Sequence, residues 1–253
     1  MGYGSFFRDD FTPGISDIDA TMIIPADVVT NKELTRHIGI VVAEALANTH
    51  VPFQLSPTDT TTIRDGRFHT YTQDFLDCFD QQGVILIPPD YRTQMVCLPE
   101  KSGPMHTVSH NLRQVRKALL FAIHYDRVDA EAFVGKFEST LKGVSSSARQ
   151  ILLLTQGTLP GDRFSLLDTL PPLFPNVDFT ALQRMKHLYT HLDELDALYR
   201  RPNKILSMWE ESVTFLEQLA RAYIRKHPKT ETLVLRTRSA APATPSSLDG
   251  KIA

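Results

Sequence analysis

Two carboxylates near the start of the chain have the spacing of metal chemistry. Asp17 and Asp19 stand i, i+2 at the head of an apolar run, Ala20-Thr21-Met22-Ile23-Ile24. In a strand alternate side chains share a face, so the pair points one way while Ile18, Ala20, Met22 and Ile24 face a core. Two carboxylates a few ångströms apart repel, which raises one pKa unless a cation sits between them. Mg²⁺ suits that geometry, because it takes oxygen ligands and keeps room for waters and substrate phosphates. Upstream of Asp17, Gly4-Ser5 offers a phosphate contact: Gly4 lets the backbone come close, and Ser5 with the amides after it can donate if a helix starts there. Arg8 lies in the loop between, where a guanidinium could clamp triphosphate oxygens or pair with Asp9 or Asp10.

The whole stretch, Gly4-Ser5-Phe6-Phe7-Arg8-Asp9-Asp10-Phe11-Thr12-Pro13-Gly14-Ile15-Ser16-Asp17-Ile18-Asp19, resembles the signature of the polymerase β-like nucleotidyltransferase superfamily. Within it, the likeness is to the small bacterial and aminoglycoside nucleotidyltransferases. That signature is Gly-Ser, a loop, then Asp-x-Asp on a strand. The resemblance implies an α+β fold, in which an N-terminal nucleotidyltransferase-type mixed α/β core packs against a C-terminal antiparallel helical bundle. Family members carry a helix before the Gly-Ser, and here only Met1-Gly2-Tyr3 precede it, so the core is expected to lack its first helix. The implied reaction is Mg²⁺-dependent transfer of a nucleoside monophosphate, AMP from ATP, onto a hydroxyl of a small molecule or a protein. Asp17 and Asp19 would be catalytic ligands of two Mg²⁺ ions, and Gly4, Ser5 and Arg8 would hold the nucleotide.

The family also places a third carboxylate on a later strand. The position expected for it falls in Phe53-Gln54-Leu55, and Gln54 is an amide that can neither act as a base nor offset cation charge. Asp59, five residues on, is the nearby acid that could bend back as the third catalytic carboxylate. The rival reading is a catalytically impaired nucleotide-binding or protein-interaction module, antitoxin-like in role. A polymerase or tailing enzyme is disfavoured: the net charge is −2 and basic clusters are lacking, which argues against a broad nucleic-acid surface.

The elements that must position these groups follow from the period of the apolar residues. After an Asp17–Pro25 strand, Asn31 to about Asn48 reads as a helix, with Thr30 and Glu33 as a capping box. His50–Ser56 reads as a second strand, Thr58–Phe68 as a loop or hairpin, Tyr71–Gln82 as a helix ended by Gly83, and Val84–Ile87 as a short buried strand. Beyond Pro104 the pattern is helical: from Ser109 to about Tyr125, Ala130–Gln156, a short piece at Phe164–Leu170, Asp178–Tyr199 and Asn203–Arg225. The division expected is 1–103 for the nucleotidyltransferase domain, 104–228 for the bundle and 229–253 for a disordered tail.

Other groups have plainer readings beside the functional one. Arg67 in Asp65-Gly66-Arg67-Phe68 could reach a nucleotide, or be ordinary turn chemistry. Lys136, Lys142 and Arg149 recur down one helix as a solvated face or an acceptor contact. His187 and His191 have zinc-compatible i, i+4 spacing, yet surface histidines explain them as well. Arg221 to His227 loosely matches the Arg-x-His motif of HEPN ribonucleases. Cys78 and Cys97 show no metal spacing or disulfide framework, and no apolar run approaches the ~18–20 residues of a membrane span. A soluble, cytoplasmic protein with no membrane partner is expected.

Overall fold

A three-stranded sheet carries Asp19 and Asp59, with Asp17 just ahead of its second strand. In the computed structural model, which describes residues 1–8, 10–13, 16–49, 51–98, 100–159 and 162–229, β1 (Gly2–Tyr3) pairs antiparallel with β2 (Ile18–Ile24), and β2 pairs parallel with β3 (Phe53–Asp59). The short α1 (Ser5–Arg8) lies in the first connection, and α2 (Lys32–Ala47) makes the crossover that parallel neighbours need. The alternation along β2 is the one its sequence implies. Thr21 meets Tyr71 at 3.1 Å and Ile23 packs with Ile63, Tyr71 and Leu76, while Met22 packs on the opposite side with Val42, Leu120 and Phe121.

Two short helices follow β3, α3 (Thr60–Asp65) and α4 (Gln73–Gln82), and the rest is helical: α5 (Gly103–Val128), α6 (Ala130–Gln156), α7 (Leu166–Leu173), α8 (Thr180–Thr190), α9 (Leu192–Tyr199) and α10 (Pro202–Lys226). Asp129 alone separates α5 from α6, and its carboxylate caps α6 by accepting from the Ala132 N–H at 2.9 Å. The two helices run antiparallel: Asn111, early in α5, donates to the Gly143 carbonyl and to Ser147 late in α6. Trp209 of α10 is fully buried against Phe133 and Phe137, with ring centroids 5.6 and 5.9 Å away. Burying aromatic area on this scale is what holds a bundle together, since each ring removes a large apolar surface from water. The chain is thus mixed α and β, with a small sheet and a helical C-terminal region.

Several expected elements move. Asn31, not Thr30, caps α2, its side chain accepting from the Leu34 N–H at 3.1 Å. The second strand runs Phe53–Asp59 instead of 50–56, and the loop expected after it is helix α3, because Asp59 supplies a cap and Gly66 stops the helix at φ 84°. Val84–Ile87 is no strand: Val84 makes one bridge, to Gly2, while Leu86 and Ile87 are exposed. A two-residue β1 offers nothing more to pair with. The helix expected from Ser109 is α5, which starts at Gly103 with Ser102 as its cap, and Ser109 is an interior residue donating to the Arg67 and Met105 carbonyls. The short piece expected at 164–170 is Leu166–Leu173. The long 178–199 helix breaks at His191, whose backbone (φ −132°, ψ 77°) leaves the helical region. The tail expected over 229–253 lies, from residue 230 on, outside the described residues.

Candidate functional site

The two aspartates sit together at the head of β2. Asp17 immediately precedes the strand, and Asp19 lies within it, flanked in register by Tyr3 of β1 and Gln54 of β3. Both are partly exposed. Partial burial, then the Asp17 charge, pushes the Asp19 carboxyl above its ordinary value. A nearby like charge disfavours the ionised form in the same direction as burial.

Gly4 adjoins them and is required there. Its φ is 85°, and a Cβ built on it would stand 2.9 Å from Asp19 Oδ2. Any larger residue would strain the backbone and displace the carboxylate. Ser5 opens the four-residue α1 and Arg8 closes it.

Across from the carboxylates stand two cations of α5 that the sequence reading passed over. Gln54 Nε2 donates to Asp17 Oδ2 at 2.5 Å, and Lys117 Nζ donates to Gln54 Oε1 at 3.0 Å. Lys117 is half-buried, and burial, then the neighbouring Arg113, lowers its pKa while Asp19 and Asp17 pull it back up. Arg113 itself donates to Ser56 at 3.3 Å and to Thr70 at 3.4 Å. Arg113 and Lys117 are one helical turn apart, so they share a face of α5. In the sequence they were two positions among many polar ones on an amphipathic helix. Only the packing of α5 beside β3 singles them out.

Asp59 does not join this site. It lies at the far end of β3, opposite Ile24, five residues from the Gln54 that faces Asp19, or about 16 Å at a strand's rise. Its side chain is fully buried. Oδ1 accepts from the Thr61 and Thr62 N–H groups at 2.8 and 3.1 Å, and Oδ2 accepts from the Thr62 hydroxyl at 2.7 Å. Arg116 reaches Oδ2 at 2.5 Å and Arg221 reaches Oδ1 at 3.3 Å, while Arg116 also holds Glu217. Burial works against the charged carboxylate, but Arg116, then Thr62 and Arg221, outweigh it and hold the pKa below its usual value. Asp59 is therefore a helix cap and the centre of an ion network tying β3 to α5 and α10. It is not a third ligand, because turning it toward Asp19 would strand two arginines.

Arg67, Arg221, His187 and His191 lie away from Asp17 and Asp19 in other contacts. Arg67 is buried against Asp65 and donates to the Ile224 and His227 carbonyls at the end of α10. Arg221 of the Arg-to-His motif is spent on Asp59. The imidazoles of His187 and His191 stack 4.1 Å apart, and His187 meets Glu194 at 3.0 Å. Among the described residues no three His, Cys, Asp or Glu side chains gather to hold a metal. A divalent ion here would rest on Asp17 and Asp19, with waters and substrate phosphate completing its shell, which is how Mg²⁺ is commonly held. A small apolar cavity on the other face of the sheet, lined by Ile24, Ile38, Leu119 and Val213 among others, is separate from this site.

No described helix is long and apolar enough to cross a membrane. Comparison with protein-family models, curated proteins and solved structures finds no match for this chain.

Proposed function

We propose that this chain binds a magnesium–nucleoside triphosphate, ATP in the first instance, at the Asp17–Asp19 edge of the sheet and transfers the nucleoside monophosphate to a hydroxyl acceptor. One observation carries the reading: two adjacent carboxylates face two cations, Arg113 and Lys117, across Gln54. Carboxylates are what a hard cation needs, and a guanidinium with an ammonium is what phosphate oxygens need. When bound, the metal would neutralise charge on the phosphates. The side chains do the rest. Asp17 and Asp19 would hold that ion, Gly4 keeps the backbone off Asp19, and Lys117 with Arg113 draws the phosphates toward α5. The acceptor oxygen then bonds to the α-phosphorus, the bond to the bridging oxygen breaks, pyrophosphate leaves and the acceptor proton passes to solvent. Positioning and charge compensation supply most of such a barrier reduction.

Gln54 favours a second reading, in which the site holds nucleotide and turns it over slowly or not at all. An amide stands where a carboxylate would serve as base, and it is already hydrogen-bonded to Asp17.

Calorimetric titration of ATP, with and without Mg²⁺, tests the shared core of both readings. Wild type is expected to bind only with Mg²⁺, and the Asp17→Asn/Asp19→Asn double variant to lose at least tenfold. A folded wild type that binds no nucleotide overturns the proposal. Pyrophosphate release separates the enzyme from the binder.

A further inference from the structure

We infer that Lys117 is the resident counter-cation of the aspartate pair, so that a divalent ion and a triphosphate bind this site as a coupled pair and neither binds well alone. The inference rests on the nucleotide-binding reading above and adds how that site is controlled. In the free protein Asp17 and Asp19 feel the positive charges of Arg113 and Lys117. Gln54 links the two sides: its amide group holds Asp17 at 2.5 Å and its carbonyl holds the Lys117 ammonium at 3.0 Å. A metal ion arriving alone meets a carboxylate oxygen already engaged by an N–H donor and two nearby positive charges. Lys136, on the adjacent α6, adds a third positive charge near Lys117.

A triphosphate changes the terms. Its oxygens are better acceptors for an ammonium than a neutral amide carbonyl, because hydrogen bonds between charged partners are the stronger kind. Lys117 has the means to move: it is half-buried and sits on a flexible four-carbon stem, whereas Arg113 is pinned to Ser56 and Thr70. Once Lys117 turns to phosphate, Gln54 loses the partner that fixed its carbonyl, and Arg113 is left as the α5 cation beside the carboxylate pair. Asp17 and Asp19 would then be open to hold a divalent ion. Linkage makes the effect reciprocal, so each ligand raises the other's affinity by one factor. Lys117 is thus a positioning residue, acting through charge handover.

The test measures Mn²⁺ binding to the full chain by electron paramagnetic resonance, alone and with an α,β-methylene ATP analogue, after correction for Mn²⁺ bound to free nucleotide. Wild type is expected to bind Mn²⁺ weakly alone and about tenfold or more tightly with the analogue. In Lys117→Met, Mn²⁺ alone binds several-fold tighter while the gain from nucleotide shrinks toward unity. Lys117→Arg keeps the charge and restores the wild-type pattern. If Lys117→Met leaves the coupling factor intact, the inference falls, whatever happens to the affinity for Mn²⁺ alone. If wild type binds neither ligand, the nucleotide-site reading falls with it, and the two failures are distinguishable.

Discussion

Gln54 donates its amide to Asp17 at 2.5 Å from the strand position that faces Asp19. A glutamine there both quiets one carboxylate and carries Lys117 on its other end. Replacing it with Glu turns the donor into a third acid. Gln54→Glu is expected to tighten Mn²⁺ about tenfold, because a further negative charge favours the cation. Mn²⁺ titration of the two proteins side by side checks this, and an unchanged or weaker affinity counts against Gln54 as part of the site.

Asp59 gives a prediction that runs opposite to its sequence-level role. Asp59→Asn removes the charge between Arg116 and Arg221 and weakens the cap of α3. Breaking a buried charge network from one side costs about 3–5 kcal/mol. Urea denaturation should show a loss of that order, while the folded fraction keeps wild-type Mn²⁺ and nucleotide binding. A variant of full stability with lost metal binding would restore Asp59 as a ligand.

The contrast between Asp59 and Asp17 shows what the sequence exposes. Asp17 and Asp19 are legible because their relation is local: two residues apart, on a strand with a period of two. The bounds of α6 are legible for the same reason, from an unbroken apolar stripe closed by Gly157 in the left-handed conformation. Asp59 also carried a local signal, an Asp ahead of three threonines, which suits a helix cap. Its decisive partners, Arg116 and Arg221, lie 57 and 162 residues away, and no short-range pattern reports them. Lys117 was hidden likewise: its meaning depends on α5 lying beside β3. The break at His191 escaped because apolar residues continue on both sides of it.

Gly4 tests the close approach at the site. Gly4→Ala sets a Cβ against Asp19 Oδ2 and forces a left-handed backbone on an L residue, at about 1–2 kcal/mol. The melting temperature should fall modestly and Mg²⁺–ATP binding should fall severalfold. Equal stability and equal binding would show that the backbone here has slack.

His69 makes stability depend on pH. It is buried and fully bonded as a neutral ring, with Nδ1 accepting from the Tyr71 N–H and Nε2 on the Val96 carbonyl. Burial, then the nearby Lys101, pushes its pKa down to about 4 from the ordinary 6.5. Above pH 6.5 both folded and unfolded states are neutral, and the histidine contributes no pH dependence. Between 6.5 and about 4 the unfolded chain takes up a proton the folded one refuses, so stability falls as pH drops. The loss is complete below about 4 and is on the order of 3 kcal/mol. Denaturation midpoints of wild type and His69→Gln between pH 7 and 4 should diverge in slope, with the variant flatter. Parallel slopes would contradict a buried neutral His69.

The most direct test of the central claim is a crystal of the full chain grown with Mn²⁺ and the α,β-methylene ATP analogue, read by anomalous scattering at the manganese edge. A manganese peak is expected between Asp17 and Asp19, with phosphate oxygens on Lys117 and Arg113 and Gln54 no longer holding the lysine. A peak elsewhere, or nucleotide bound while Lys117 stays on Gln54, would contradict it.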